Sequence, residues 1–402
     1  MNITLISQFF YPDIDSDAQF SYDLARGFVE RGTRVRVICQ RGLKDVSKNR
    51  KKLKRRENIN GIDIHRLPDA FSNKTLLQKF LRHSLFYLAL FFKLLNSTSK
   101  DSILLVISAP PYNGFLAALT KIFKNYRYFF AIKDVYPDVM VSNNLIENDE
   151  LIYRFLNMAT KVSYRYADRV FSLGPYMTER IRKKITDNNK IVEIPNWGFE
   201  ELYPIKKKDN PLIGELNLKD KFIVLYSGNH GYGHEFDTLL LGAKRLSKEY
   251  EDIYFIFIGG GVRFNEIQEF KDDNPDAHIL TFDYLPFEQL NYGLNLADVS
   301  IITMRDKWEG IMVPSKTYGI MAVGSPIVYV GPESDISLII KRFNCGFNVK
   351  NGNVDEFITR IKELYHNKKL RNILGGRARR GFEEEYTKSK IMERYISAMA
   401  LC

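Results

Sequence analysis

The chain predicts an α/β protein built from two doubly wound, parallel-sheet domains. Three features carry that expectation. Short β-branched runs alternate with amphipathic helical stretches in both halves. A polar, turn-rich stretch, Glu200–Asn217 with KKKDNP at its centre, separates the halves. The second half then opens on a strand, IVLYS, that runs directly into a glycine-rich turn. At 402 residues, with an apolar share of 45%, the chain has enough material for two separate cores.

In order, Ile3–Ser7 reads as a buried strand, and Ala18–Glu30 as a helix with Phe20, Leu24 and Phe28 at four-residue spacing. Gly32 closes that helix and Thr33–Cys39 is the second strand, with Ile62–Arg66 the third. Leu76–Leu95 is a strongly apolar helix interrupted by Lys79, Arg82, His83 and Lys93. Strands follow at Ile103–Ser108, Tyr128–Ile132, Val170–Leu173 and Ile191–Ile194, with helices beginning near Pro111 and Pro175. The second half repeats the alternation with strands at Ile223–Ser227, Ile253–Ile258, Ile279–Phe282, Val299–Ile302, Ile327–Val330 and Phe347–Val349. The resulting division is 1–199, a connection at 200–217, 218–381, and a terminal helix over 382–402 expected to cross back to the first domain. Two such domains would face a cleft at the carboxyl ends of their strands, where open α/β sheets bind ligands.

Cys39, Cys345 and Cys402 are far apart and odd in number, which suits a reducing cytoplasm. The opening MNITLIS enters a strand pattern at once and does not resemble a signal peptide. Of the net charge of +11, a net +6 lies in Lys44–Glu57. No aromatic residues interleave that run, so nucleic acid is disfavoured. With the Leu76–Leu95 helix just downstream, the Lys44–Arg56 run points to an anionic membrane surface. For the helix alone, a core position and an interfacial one are both open, and one face can serve each.

Val313–Val328, VPSKTYGIMAVGSPIV, is a loop, a short helix and a buried strand. Pro314 suits a helix entry and Ser315 a cap, which puts Lys316 in the first turn beside backbone N–H groups: a place for a phosphate, or an ordinary helix–strand join with a solvated lysine. The turn Gly228-Asn229-His230-Gly231-Tyr232-Gly233-His234 follows a strand and precedes a helix, where glycines let the backbone approach a diphosphate.

The P-S-K-x-Y and A-x-G-x-P elements of Val313–Val328 resemble the donor-site helix of family 4 glycosyltransferases of the GT-B fold. Further matches come in the family's order. They are SQFFYPD, SAPPYNG at Ser108–Gly114, KDVYPD at Lys133–Asp138, SLGPYMTE at Ser172–Glu179, IPNWG at Ile194–Gly198 and LYSGNHGYG at Leu225–Gly233. The resemblance covers nearly the whole chain and is nearest to the bacterial branch that includes L-fucosamine (FucNAc) transferases of surface-polysaccharide assembly. It implies two Rossmann-like domains and retaining transfer from a UDP-sugar, of the N-acetylhexosamine type, without a metal cofactor. The acceptor would be lipid-linked, and the enzyme peripheral on the cytoplasmic face of the inner membrane. It also implies a donor site at Gly228, Asn229, Gly231, Gly233, His234, Leu285, Arg305, Ser315, Lys316, Thr317, Tyr318 and Gly319.

Departures from the family pattern are local. Asn229 and His234 stand where the family usually has arginine and lysine, so Lys316, Arg305 or the helix amides are left to hold phosphate. Counted back from Gly324 and Pro326, the family's two glutamates fall on Ile311 and Gly319, neither acidic. Glu309 is the nearest candidate for the sugar-facing role, with a solvated loop glutamate as the alternative. Phe282–Phe287, FDYLPF, resembles the segment bordering the nucleobase, or is a plain strand end. Asp15, Ser16 and Asp17 occupy the acceptor loop, where Asp17 equally suits a helix cap. Lys133 and Asp134 end a strand either as a catalytic pair or as a structural ion pair. Two rivals remain from the residues: a UDP-N-acetylhexosamine 2-epimerase-like enzyme and a catalytically silent nucleotide-binding protein of the same fold.

Overall fold

The computed structural model describes residues 2–13, 16–41, 53–68, 75–97 and 102–400. Asp15 and most of the basic run, residues 44–52, lie outside the described residues. The chain divides into two compact units, residues 1–194 with 392–402, and residues 195–391. Each contains one doubly wound sheet.

The first unit runs β1 (Asn2–Ile6), α1 (Ser16–Val29), β2 (Arg34–Gln40), β3 (Arg56–Ile59), β4 (Ile62–Leu67), α2 (Leu76–Ser97) and β5 (Ile103–Ile107). It continues through α3 (Asn113–Lys124), β6 (Arg127–Ala131), α4 (Asp138–Ser142), α5 (Leu151–Tyr166), β7 (Arg169–Ser172), α6 (Pro175–Arg182) and β8 (Ile191–Glu193). The strand order is β3-β4-β2-β1-β5-β6-β7-β8. All neighbours are parallel except the β3–β4 hairpin. β1 holds the centre, with Ile3 opposite Val35 on one side and Ile103 on the other. The order reverses between β1 and β5, so the loops after these strands open at a topological switch point.

The hairpin strand β3 falls where the sequence suggests only a basic run. Its turn is Asn60-Gly61, both at positive φ (49° and 81°), the geometry a tight hairpin requires. Arg66, buried in β4, pairs with Glu57 across the hairpin, which gives the end of the run a structural role.

The second unit runs α7 (Pro211–Glu215), β9 (Phe222–Ser227), α8 (Asp237–Leu246), β10 (Ile253–Ile258), α9 (Phe264–Asp273), β11 (Ile279–Phe282), α10 (Leu290–Leu294) and β12 (Val299–Thr303). Then come α11 (Lys316–Ala322), β13 (Ile327–Val330), α12 (Asp335–Phe343), β14 (Gly346–Val349), α13 (Val354–His366) and α14 (Lys368–Gly381); α15 (Lys388–Ala400) follows and belongs to the first unit from Met392 on. Its sheet is wholly parallel in the order β11-β10-β9-β12-β13-β14, with a switch point between β9 and β12. The strands are β-branched and aromatic, and their buried side chains form cores on both faces. Residues 200–217, read from the sequence as a connection, contribute to the smaller core, where Leu212 and Ile213 pack with Leu218, Leu225 and Ile256.

The terminal helix is broken. A π turn at Phe382–Tyr386 precedes Thr387 in extended conformation, and α15 begins only at Lys388. Beyond residue 392 its packing lies in the first unit: Tyr395 meets Phe171 edge-on (centroids 5.2 Å) and Phe28 (6.4 Å), and Arg127 donates to the Met399 carbonyl (3.2 Å). Among the described residues no helix is long and apolar enough to cross a membrane.

Tyr395 is 2% exposed, so Tyr395→Ala removes a ring from a packed site. We expect a loss of about 3–4 kcal/mol in the first unit's stability. Calorimetry should show its transition moving down while that of the second unit stays in place.

Candidate active site

At the carboxyl end of the second sheet two glycine turns meet backbone to backbone. Gly228, with φ 130°, donates to Ile258 O (2.9 Å), and His230 N donates to Gly260 O (2.9 Å). A Cβ on Gly259 would lie 2.1 Å from Gly228 O, and one on Gly261 2.6 Å from both Asn229 Oδ1 and His230 O. Only glycine fits there. Two of the loop amides expected to meet a diphosphate are therefore spent on holding the neighbouring turn. Gly233 is closed in by Trp308, and its carbonyl accepts from Arg305 N (2.9 Å), tying the loop to the end of β12.

Lys316 reaches into this junction. Its Nζ stands 3.5 Å from the centroid of the Tyr226 ring, and its Cε would be 3.3 Å from a Cβ on Gly228. Lys316 as a residue is partly exposed, yet Nζ itself is enclosed and makes no hydrogen bond with the protein. Burial drives its pKa well below the usual lysine value. The ring face gives the ammonium partial compensation, but among the described residues no carboxylate neutralises it. An ammonium so placed stabilises an anion brought to it, and the anion in turn restores its charge.

The two histidines of the loop do not replace the missing cations. His234 is buried, with Nδ1 donating to Thr303 O (2.8 Å), and its pKa is held well below normal by burial and by Lys316. His234 is therefore part of the core and not a surface-loop residue. His230 is fully buried among Tyr226, Phe236 and Phe264, and burial and Lys316 push its pKa down to about 3. Both rings are neutral supports of the loop.

Other expected donor residues divide by location. Asn229 approaches Tyr284, whose hydroxyl donates to Gly260 O (2.9 Å) and lies 3.5 Å from Asn229 Oδ1. Arg305 is exposed at the end of β12. Leu285 turns onto α10, where a Cβ on Gly293 would lie 2.5 Å from its Cδ1. Ser315 is not the expected cap: it has helical dihedrals and makes no side-chain cap bond. Thr317 Oγ1 donates to Pro314 O instead (2.8 Å). Tyr318 is fully buried against Tyr386. Gly319 faces Leu202 and Leu294, whose methyls would lie 3.3 and 3.4 Å from a Cβ, and Ile311 is buried. Glu309 is partly exposed between buried Trp308 and Gly310, and its charge bears on the Tyr329 hydroxyl.

The first unit contains a separate cluster near its own switch point. Ser108 Oγ accepts from Lys133 N (2.8 Å) and Asp134 N (3.4 Å), fixing the turn after β6. Burial lowers the Lys133 pKa to about 8 against the opposing influence of Asp17 and then Asp134. Burial and the Asp17 charge raise Asp134 to about 7, with Lys133 opposing. Asp17 lies in the first turn of α1 after Ser16, so it joins this cluster rather than serving only to start the helix. The Lys133 ammonium also approaches the Phe20 ring (5.2 Å). Such a cluster can hold or exchange a proton near neutrality.

Sequence reasoning missed the second glycine turn, Gly259–Gly261, although three glycines after the IYFIFI strand signal it. It also missed Tyr226, whose position under Lys316 arises from pairing β9 with distant elements. Among the described residues no group of three His, Cys, Asp or Glu side chains is placed to hold a metal ion.

The fold is that of the GT-B glycosyltransferases: two parallel-sheet, Rossmann-like domains. Sucrose-phosphate synthase from Thermosynechococcus elongatus superposes with a TM-score of 0.78 at 15% identity, covering 100% of both chains. The Anabaena protein HepE, solved in complex with UDP and glucose, gives 0.75 at 12% identity, again over 100% of both chains. Residues 18–197 match the family model described as "Glycosyl transferase 4-like domain", and residues 210–381 match "Glycosyl transferases group 1". With most of the chain accounted for by these two models, it belongs to the GT-B glycosyltransferase family. It is 30% identical over 225 residues, 56% of each chain, to the "Probable glycosyltransferase WbjE" of Pseudomonas aeruginosa. That match spans about half the length of the curated relative.

Two outcomes follow from the geometry. Gly259→Ala should cost at least about 3 kcal/mol, combining a clash with a φ of 132° that alanine resists; urea denaturation reads this directly. Asp134 has a folded pKa raised above its unfolded value of 3.8, so its stabilisation is present at low pH and lost as pH rises towards about 7. The melting temperature of Asp134→Asn should accordingly gain on that of the wild type between these pH values. A constant difference would contradict the raised pKa.

Proposed function

We propose that this protein is a retaining glycosyltransferase. It moves a sugar of the N-acetylhexosamine type from a UDP-sugar to a lipid-linked saccharide in surface-polysaccharide assembly, at the cytoplasmic face of the inner membrane. The observation that carries the reading is the enclosed Lys316 side chain at the glycine turns, whose Nζ has no hydrogen-bond partner among the described residues. Departure of a nucleoside diphosphate concentrates negative charge on its phosphates, and a preorganised cation at that place favours the transition state over the bound donor. UDP as the nucleotide is supported by the HepE structures, solved with UDP and with UDP-glucose. The FucNAc-transferase branch is the one the ordered motifs most resemble, and the sugar class is what that resemblance implies.

In the proposed mechanism Lys316 meets the diphosphate, with Arg305, Asn229 and the first turn of α11 around it. The acceptor attacks the anomeric carbon from the face that the diphosphate leaves, and the departing phosphate oxygen takes the acceptor's proton. Glu309 orients the donor sugar. Lys133, Asp134 and Asp17 hold the acceptor side, and no metal ion takes part. A specific observation favours a second reading, nucleotide binding without transfer. The two places where the family carries glutamates are a buried isoleucine, Ile311, and Gly319 packed by leucines.

Calorimetric titration with UDP and GDP, without added metal, tests the donor site. UDP should bind and GDP should not, and a UDP-sugar panel with a lipid-linked acceptor then separates transfer from silent binding. Binding of neither nucleotide would contradict the reading. Lys316→Met should weaken UDP by about 1–2 kcal/mol, roughly tenfold, while raising the ligand-free protein's stability by about 1 kcal/mol. A lysine serving only structure would lower stability when replaced.

A further inference from the structure

The second unit carries a hollow away from its glycine turns. It has a volume of about 390 Å³ and is lined by Tyr203, Pro204, Ile205, Lys206, Asp209 and Tyr292. None of these belongs to the turns at 228–234 and 259–261 or to α11, so the hollow is a separate feature of the fold. Its size falls within the range of small-molecule sites.

Asparagines fix the walls. Asn291 Oδ1, on α10, accepts from Tyr203 N (3.1 Å). Asn295 Oδ1 accepts from Ile205 N (2.7 Å), while its Nδ2 donates to Tyr203 O (3.0 Å). Asn210 Nδ2 donates to Tyr292 O (2.8 Å). These bonds stitch residues 203–205 to the helix and its end, so a ligand does not have to order the site as it binds.

The lining combines ring faces with polar groups of both kinds. Tyr203 is 53% exposed and Tyr292 partly so. Beside them stand one cation, Lys206, and one anion, Asp209, both exposed. Neighbouring Lys207 pairs with Asp298 (2.6 Å). Among the described residues, however, the Lys206 and Asp209 side chains have no partner in the protein, and neither do the hydroxyls of Tyr203 and Tyr292. The hollow therefore offers donors and acceptors without a net charge. A phosphate would be opposed by Asp209, and a cationic ligand by Lys206. A neutral pyranose matches instead. Its C–H face can lie on a tyrosine ring, and its hydroxyls, each donor and acceptor, can meet the carboxylate, the ammonium and the phenols.

We propose that this hollow is a saccharide-binding site, separate from the reaction centre, that takes a neutral pyranose ring of an oligosaccharide. Exposed side chains hold such a ligand weakly, which suits a saccharide that must be released. Its use, retaining the saccharide chain between transfers, rests on the transferase reading above; the binding itself does not.

The test is saturation-transfer NMR on the full chain with maltose, lactose and N,N′-diacetylchitobiose as probes, with and without UDP. At least one disaccharide should receive saturation from the wild type, and added UDP should leave that signal in place. Tyr203→Ala and Asp209→Ala should each reduce it at least roughly threefold, whereas Tyr203→Phe, which keeps the ring, should retain most of it. Both positions are exposed, so thermal melts and UDP titrations of the variants should match the wild type. Absence of transfer to all the disaccharides would overturn the proposal. So would a signal that UDP abolishes or that Tyr203→Ala leaves intact. UDP binding without disaccharide binding would sink this inference alone. A Tyr203-dependent disaccharide signal without UDP binding would sink the transferase reading alone.

Discussion

The second unit is organised around one unfavourable placement: a lysine ammonium enclosed against a tyrosine ring with no anion beside it among the described residues. Lys316 reaches Tyr226 because Gly228 has no side chain, and Gly228 holds its backbone because Gly259 lets the two turns touch. The buried histidines keep the loop apolar around it and remain neutral, so neither adds a charge beside it. A buried cation without a counterion lowers stability, and the sheet core on either side supplies the stability that tolerates it. Such a site holds its lysine in position for a diphosphate before one arrives, and the arriving anion restores the lysine's charge.

The first unit has a similar switch point beside its central β1, in a sheet with added edge strands, and uses it for a different chemistry. Its switch-point cluster balances one lysine against two aspartates, with the burial of Lys133 and Asp134 bringing their pKa values towards each other, to about 8 and about 7. Small changes in local charge therefore move protons within it. On the outside of the same unit, helices that are apolar on two faces and free of acidic residues give it a surface unlike that of an ordinary soluble domain.

Most of the architecture was legible because parallel strands buried on both faces leave β-branched runs, and helices between them keep an amphipathic period. The β3 strand was hidden because its residues, RENI, are mostly polar and follow a basic run, although Asn60-Gly61 signalled the turn. The break before α15 was also hidden, since nothing local to Phe382–Tyr386 distinguishes a π turn from a helix. For the candidate site, the glycine turn and Lys316 were readable as local motifs. Their partners were not: Tyr226 meets Lys316, and Asp17 bears on Lys133, through packing between elements distant in sequence. The same limit explains His234, which looked like a loop residue until Thr303 and the core enclosed it.

The account's central claim is that the Lys316 ammonium is electrostatically unfulfilled until a diphosphate binds. The direct measurement is the number of protons exchanged on UDP binding, from calorimetry across a series of pH values in buffers of different ionisation enthalpy. Because the free pKa is depressed and an anion raises it, binding should take up protons, and UDP affinity should fall as pH rises through the window between the two values. Uptake that disappears in Lys316→Met is the predicted result. Binding without proton exchange, or with the same uptake in the variant, would contradict it.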